Sequence, residues 1–281
     1  METRISSATN EVIVGHDQPT VLIGERINPA GKKKMSQALK AGNLEIVGRE
    51  ALAQVQAGAD IIDVNVGAFG VDEVILLPQA VQAVMDTVDV PLCLDSANPE
   101  ALEAALKVYK GKPLINSVTG GEHSMRKILP VVKEYGAVVI GLVQDDEGIP
   151  NNSERRVAIA HKIVERALAI GIPHEDIIID CLALAVGADT SSGLITIETI
   201  RRVKAELGMN LTLGASNISF GLPDRDLLND AFVAIAIAAG VTCLIVNVAK
   251  VRPIVLAADL VLCRDKRARR YIEAYRQRQR Q

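Results

Sequence analysis

Tryptophan is absent, and only three Phe and four Tyr occur in 281 residues. That scarcity removes the stacking platforms on which single-stranded nucleic acid is bound. The charge balance points the same way: 31 Lys+Arg against 34 Asp+Glu give a formal net charge of −3, not the basic surplus of a nucleic-acid coat. No apolar run reaches 18 residues without a charge, so no transmembrane helix is expected, and METRISSATNEV lacks the apolar segment of a signal peptide. Cys93, Cys181, Cys243 and Cys263 never come within four residues of one another, which removes the CxxC spacing of zinc and iron–sulfur sites. The first three lie in apolar runs and read as small core hydrophobes, a usage that fits a reducing, cytoplasmic compartment. Neither a phosphate-cradling glycine loop nor a Walker lysine appears.

What is present is a large core's worth of apolar residues, 49% of the chain, with 23% charged. Eight short β-branched runs recur, at 21–28, 60–65, 90–96, 113–117, 137–144, 176–182, 211–217 and 243–248. They are nearly continuously apolar, the pattern of parallel strands buried on both faces. Amphipathic stretches such as 44–58, 100–110 and 153–171 lie between them. Asn98-Pro99-Glu100 reads as an N-cap followed by proline at the first helical position, and Gly58, Gly136, Gly171 and Gly208 read as helix stops. This arithmetic predicts an α/β fold, a single-domain (β/α)8 TIM barrel over 21–263. Residues 1–20 form an N-terminal extension or barrel lid, and 264–281, with eight Lys/Arg against two acids, form a basic C-terminal helix. That helix is either a solvated face or a contact for an acidic partner.

In such a barrel the active site sits at the C-terminal ends of the strands. Those ends carry Glu25 and Asn28; Asp63 and Asn65; Asp95 and Ser96; Asn116 and Ser117; Gln144-Asp145-Asp146; Asp180; Ser216-Asn217; and Asn247. His16, His123, His161 and His174 all fall in helix or loop contexts, which disfavours a histidine-centred metal site or a nucleophile–histidine triad, and no metal is expected. Lys250 is the only lysine close after a strand, a poor basis for Schiff-base chemistry. Carboxylates and carboxamides suit a flat heterocycle with a donor–acceptor edge, such as a pterin. Asp95 is not needed as a cap, because Asn98 is better placed, and Asp180 has no immediate helix to cap, so both read as ligand groups. Asp63 and Asn65 share a strand face and are either ligand groups or buried structural ones; Asn116 and Asn217 are either ligand groups or turn residues.

Ile23-Gly24-Glu25-Arg26-Ile27-Asn28, Asp63-Val64-Asn65-Val66-Gly67, Leu92-Cys93-Leu94-Asp95-Ser96, Ile115-Asn116-Ser117, Ile179-Asp180 and Gly214-Ala215-Ser216-Asn217-Ile218-Ser219 follow in that order. This series resembles the pterin-binding, dihydropteroate-synthase-like family, and within it the methyltetrahydrofolate:corrinoid protein methyltransferases. The resemblance implies a TIM barrel, commonly a homodimer. It implies that Asp95, Asn116 and Asp180 hold the pterin ring and that Asn217 approaches N5, the nitrogen that carries the methyl group. Glu25, Asn65, Gly214, Ser216 and Arg225 complete the implied substrate site, and Phe220 stands where relatives vary. The implied substrates are 5-methyltetrahydrofolate or tetrahydrofolate and a cobalamin (corrinoid) on a separate corrinoid-binding protein, since no corrinoid-binding Asp-x-His-x-x-Gly pattern occurs. Similar enzymes serve acetyl-CoA synthesis, O-demethylation and methylamine or betaine demethylation. Dihydropteroate synthase is the first alternative, but its Ser-Arg-Lys run is replaced here by Ser216-Asn217-Ile218. A non-catalytic folate-binding subunit and a metal-dependent barrel lyase are the others.

Overall fold

Each of the eight apolar runs becomes one parallel strand. In the computed structural model, which describes residues 1–279, these are β3 (Val21–Ile27), β4 (Ile61–Asn65), β5 (Leu92–Asp95), β6 (Leu114–Thr119), β7 (Val138–Leu142), β8 (Ile177–Asp180), β9 (Asn210–Thr212) and β10 (Cys243–Val246). They follow β1 (Glu2–Ser6) and β2 (Glu11–Gly15). The sheet runs β10-β3-β4-β5-β6-β7-β8-β9. A parallel bridge between Gly214 and Ile245, with Thr242 N–H donating to Leu211 and Ile245 N–H to Leu213, joins the last strand to the first. The fold is the expected (β/α)8 barrel.

Among the described residues ten α-helices surround it: α1 (Lys33–Lys40), α2 (Glu45–Ala57), α3 (Glu73–Met85), α4 (Pro99–Val108), α5 (Glu122–Tyr135), α6 (Ser153–Ala169), α7 (Ser192–Leu207), α8 (Arg225–Ala239), α9 (Val248–Val261) and α10 (Arg269–Arg278). None among the described residues is long and apolar enough to cross a membrane. Asn98 Oδ1 accepts from Glu100 and Ala101 N–H and so starts α4, which leaves Asp95 free of capping duty. Gly58, Gly136 and Gly208 end α2, α5 and α7 with positive φ, a conformation glycine adopts without a Cβ penalty.

The period of two along a strand divides the core into two layers. Outward residues such as Leu22, Ile62, Leu94, Ile115, Val139, Ile179 and Leu244 pack against the helices. Inward residues Val21, Ile23, Ile61, Cys93, Leu114, Val138, Ile140, Ile178 and Cys243 fill the barrel. Burying each large aliphatic side chain contributes about 1.5–3 kcal/mol. Cys93, Cys181 and Cys243 are buried as free thiols.

The N-terminal residues close the far end of the barrel. β1 and β2 pair as an antiparallel hairpin. Ile5 and Val14 join the inward layer, and Asn210 Nδ2 donates to Thr3 Oγ1 and Val14 O. The hairpin therefore stands at the N-terminal ends of the strands, not over the polar ends as a lid would. At the other terminus the helical part begins at Arg269, and two of the tail's cations turn inward. Arg264 donates to Thr20 Oγ1, Val241 O and Ile237 O, and Arg270 lies 3.6 Å from the buried carboxylate of Asp259. Residues 280 and 281 of the basic segment lie outside the described residues.

Candidate active site

The inward parity that fills the barrel below also sets its mouth above. One step of two beyond Ile23 is Glu25; beyond Ile61 come Asp63 and Asn65; beyond Cys93, Asp95; beyond Leu114, Asn116; beyond Ile178, Asp180. Alternation thus brings residues from five strands to one opening. Two register shifts sharpen it. Glu25 and Arg26 oppose a single residue of β4, and Ser117 is the extra residue of β6 against β7. Such bulges re-aim side chains at strand ends.

The acids are linked by amides. Asn65 Nδ2 donates to Asp95 Oδ2 at 2.8 Å, and its Oδ1 accepts from Gly67 N–H at 2.8 Å. Asn65 is thereby committed at both ends, and it orients Asp95. Asn116 Nδ2 donates to Asp63 Oδ1 at 3.3 Å. Asp63, only 2% exposed, is the buried member of this network. On the opposite wall Asp180 Oδ1 accepts from Leu182 N–H at 2.7 Å. Beneath it Arg156 is fully buried and donates to Pro150 O, Cys181 O and Leu182 O.

Burial dominates the electrostatics. It raises the Asp95 pKa to about 6, against the hydrogen bond from Asn65, and Glu73 adds repulsion. It raises Asp180 to about 6 against the Leu182 and Gly214 N–H groups and the Arg156 charge. Burial, followed by the neighbouring Asp95 charge, holds Asp63 well above the usual carboxylate range. Glu25 is also raised by burial, with Lys32, Arg26 and the Ser216 hydroxyl opposing. Among the described residues no group of three or more His, Cys, Asp or Glu is placed to hold a metal ion.

The turn after β9 departs from the expected strand over 211–217. The strand stops at Thr212, and Ala215–Ser219 form a 3-10 turn, because Gly, Ser and Asn favour turn geometry over a ladder. A Cβ on Gly214 would stand 3.1 Å from Asn217 Nδ2, so glycine leaves the amide its space. Asn217 is exposed, and its amide has no hydrogen-bond partner among the described residues. Arg225 staples the turn through Ser216 O at 2.8 Å and Ser219 Oγ at 3.0 Å, and its guanidinium lies over the Phe220 ring. Asn247 precedes α9 and lines a small recess with Ser216 and Lys250, whose ammonium is held by Asp226.

A cavity of about 340 Å³ opens over Asp95 and Asn116. Its wall adds Ser117, Thr119, His123, Lys127 and Gln144. The histidine and lysine escape a reading confined to strand ends, because they stand on the first turns of α5. The signal for them is Gly120-Gly121: a Cβ at the first would meet Ile159 at 2.5 Å, and at the second Asp146 at 2.5 Å. Only glycines let α5 start so close to the opening. Lys32 is a second correction to the view that Lys250 alone follows a strand closely. Its Nζ reaches back to donate to Glu25 O and Arg26 O. Asp145 and Asp146, by contrast, serve structure: Asp145 pairs with Arg155, and Asp146 accepts from Glu122 N–H.

The chain also matches known proteins along most of its length. Residues 24–247 match the pterin binding enzyme family. The chain is 32% identical over 267 residues to a methylcorrinoid:tetrahydrofolate methyltransferase of Eubacterium limosum, covering 92% of this chain and 96% of that protein. It is 32% identical over 265 residues to methionine synthase of Mycobacterium tuberculosis, of which it spans 22%. Dihydropteroate synthases of Xanthomonas albilineans and Yersinia pestis superpose with TM-scores of 0.72 and 0.70. They cover 93% and 94% of this chain and 99% and 100% of theirs, at 20% and 16% identity, and so speak for the fold alone. With its barrel, its ring of acids and amides, and these matches along nearly its whole length, the chain belongs to the pterin binding enzyme family.

Proposed function

We propose that the chain moves a methyl group between N5 of 5-methyltetrahydrofolate and the cobalt of a corrinoid on a separate protein. The observation that carries this reading is the inward ring of Asp95, Asn116 and Asp180 in a chain so similar to a methylcorrinoid:tetrahydrofolate methyltransferase. Methyltransferase activity itself agrees with both curated relatives. Ionised Asp95 and Asp180 each accept N–H groups of the pterin ring, and Asn116 uses the carbonyl and amide hydrogen that Asp63 leaves open. Asn65 contributes by fixing Asp95. Glu25 and Ser216 line the same mouth, Gly214 gives the ring and the Asn217 amide room, and Arg225 holds the turn that presents Asn217.

Asn217 carries the chemistry. A tertiary amine leaves poorly unless its nitrogen gains a proton or a hydrogen bond as the C–N bond breaks. The unengaged amide of Asn217 can donate that bond, stabilising charge that develops only in the transition state. The corrinoid is the second substrate, and its cobalt supplies the centre that accepts or gives up the methyl group. The exposure of Asn217 and Phe220 fits a group brought in from solvent by another protein. Dihydropteroate synthase chemistry is less well supported, since Ser216-Asn217-Ile218 supplies no lysine at that turn.

Titration calorimetry with 5-methyltetrahydrofolate, beside a spectrophotometric assay with Co(I) cobalamin, tests this. Binding with formation of methylcobalamin is expected. Binding without transfer to free or protein-bound corrinoid would favour a folate-binding subunit, and no binding would end the pterin reading.

A further inference from the structure

On the flank of the barrel a cavity of about 320 Å³ opens between α2, α9 and α10. It shares no lining residue with the cavity over Asp95 and Asn116. The buried Leu256 and Ala274 give it an apolar base. Its polar groups are Arg252 from α9, Gln56 from the end of α2, and Gln277 and Arg278 from the end of α10. Among the described residues no acid lines it.

The sequence makes room for Arg252. A Cβ on Gly58 would stand 2.4 Å from its Nε, so only glycine lets the side chain pass. The guanidinium is half-buried, yet it makes no hydrogen bond or salt bridge among the described residues. Burial lowers its pKa, and Arg270 and Arg278 add repulsion against the attraction of Asp60 and Glu273. Asp60 is already committed to Leu22 N–H at 2.8 Å. A charge drawn out of water without a partner is costly, and an anion from outside would offset that cost. The C-terminal dipole of α2 favours one cation at this corner. It does not account for a second arginine on another helix, nor for the two amides beside them.

Two guanidiniums and two carboxamides supply the N–H donors that a compact oxyanion needs, and the arginine fork matches phosphate two bonds at a time. The apolar base beside them takes a ring or hydrocarbon attached to that anion. Few polar groups on an apolar wall, in a cavity of this size, suit a small molecule and not a polymer. We propose that this cavity is a ligand site separate from the mouth, that it takes a small organic phosphate, and that the bound phosphate fastens α10 to α2 and α9.

The test titrates phenyl phosphate and inorganic phosphate by calorimetry into the full native chain, Arg252→Gln and Arg278→Gln. Phenyl phosphate should bind about tenfold more tightly than inorganic phosphate, as burial of roughly 55 Å² of ring would give. Arg252→Gln should weaken it by about tenfold, and Arg278→Gln, on the exposed rim, by about threefold. Amide hydrogen exchange over α10 should slow when phenyl phosphate binds the native chain and stay unchanged in Arg252→Gln. No binding to the native chain would overturn the proposal, and a lowered Tm of Arg252→Gln would then make the arginine a stabiliser of the α2 end alone. Equal affinity in all three proteins would place the phosphate elsewhere. Equal affinity for the two phosphates would reduce the site to a surface charge. None of these outcomes bears on the pterin reading.

Discussion

Asn217 and Asp180 illustrate two kinds of site residue. Asn217 is exposed and its amide has no partner among the described residues, so its loss should not disturb the fold. Asn217→Ala should lower single-turnover methyl transfer by about 10²–10³-fold, as deletion of a transition-state donor does, while calorimetric folate affinity changes little. Equal losses in both would reduce it to a binding residue. Asp180 is buried, with a pKa of about 6 against an ordinary 3.8. An acid raised on folding weakens the folded state as pH rises through that window, and the penalty stays in full above it. Asp180→Asn keeps the acceptor for Leu182 N–H and removes the charge. It should raise stability at pH 7 by about 2–3 kcal/mol in urea denaturation, yet weaken folate binding. A variant less stable than the native chain would show that the charge is compensated. For the same reason folate affinity should fall as pH drops below about 6, where Asp95 and Asp180 take up protons. A flat calorimetric profile from pH 7 to 5 would exclude ionised carboxylates from binding. The facing of these residues was legible because period two extends the inward apolar positions directly into polar ones. His123 and Lys32 were not, because each reaches the mouth from a helix or loop whose path depends on packing.

The loop leaving β8 is held by several buried hydrogen bonds. Leu182 has φ +56°, a left-handed conformation that costs a residue with a Cβ roughly 1–2 kcal/mol. It is held there from three sides: by Asp180 on its N–H, and by Arg156 and Thr196 on its carbonyl. Arg156→Leu would leave the Pro150, Cys181 and Leu182 carbonyls without this donor. A loss of at least about 3 kcal/mol is expected, with weaker folate binding because Asp180 loses its anchor. Thermal unfolding and calorimetry measure both, and a loss below 1 kcal/mol would mean that solvent satisfies the loop. Elements of this kind divide sharply in legibility. Eight strands and the Asn98 cap follow from β-branched runs and turn chemistry. The early end of β9 does not, because Leu211-Thr212-Leu213 continues the apolar run past the point where Gly214 and Ser216 turn the chain. The N-terminal hairpin lies hidden in two five-residue strands whose alternation, with Thr3 and Ile5 inward and Glu2 and Arg4 outward, is too short to stand out.

For the whole molecule, the barrel has different fittings at its two ends. Ile5 is fully buried in the layer that the hairpin completes. Ile5→Asp should therefore destabilise the protein by more than about 3 kcal/mol, seen as a lowered Tm. The folded fraction should retain its specific activity, because the polar strand ends are at the opposite rim. A variant with native Tm but lost activity would contradict this division. The basic C-terminal segment partly joins the same end, since Arg264 and Arg270 address the buried Asp259 carboxylate. A barrel filled by its inward layer, with the hairpin packed beneath it, also sets the traffic of the reaction. A vessel with a single neck admits both reactants, and releases both products, by one route. On the function proposed above, a folate lodged ring first would leave its tail in that neck, and a partner bringing cobalt to Asn217 would come down beside it.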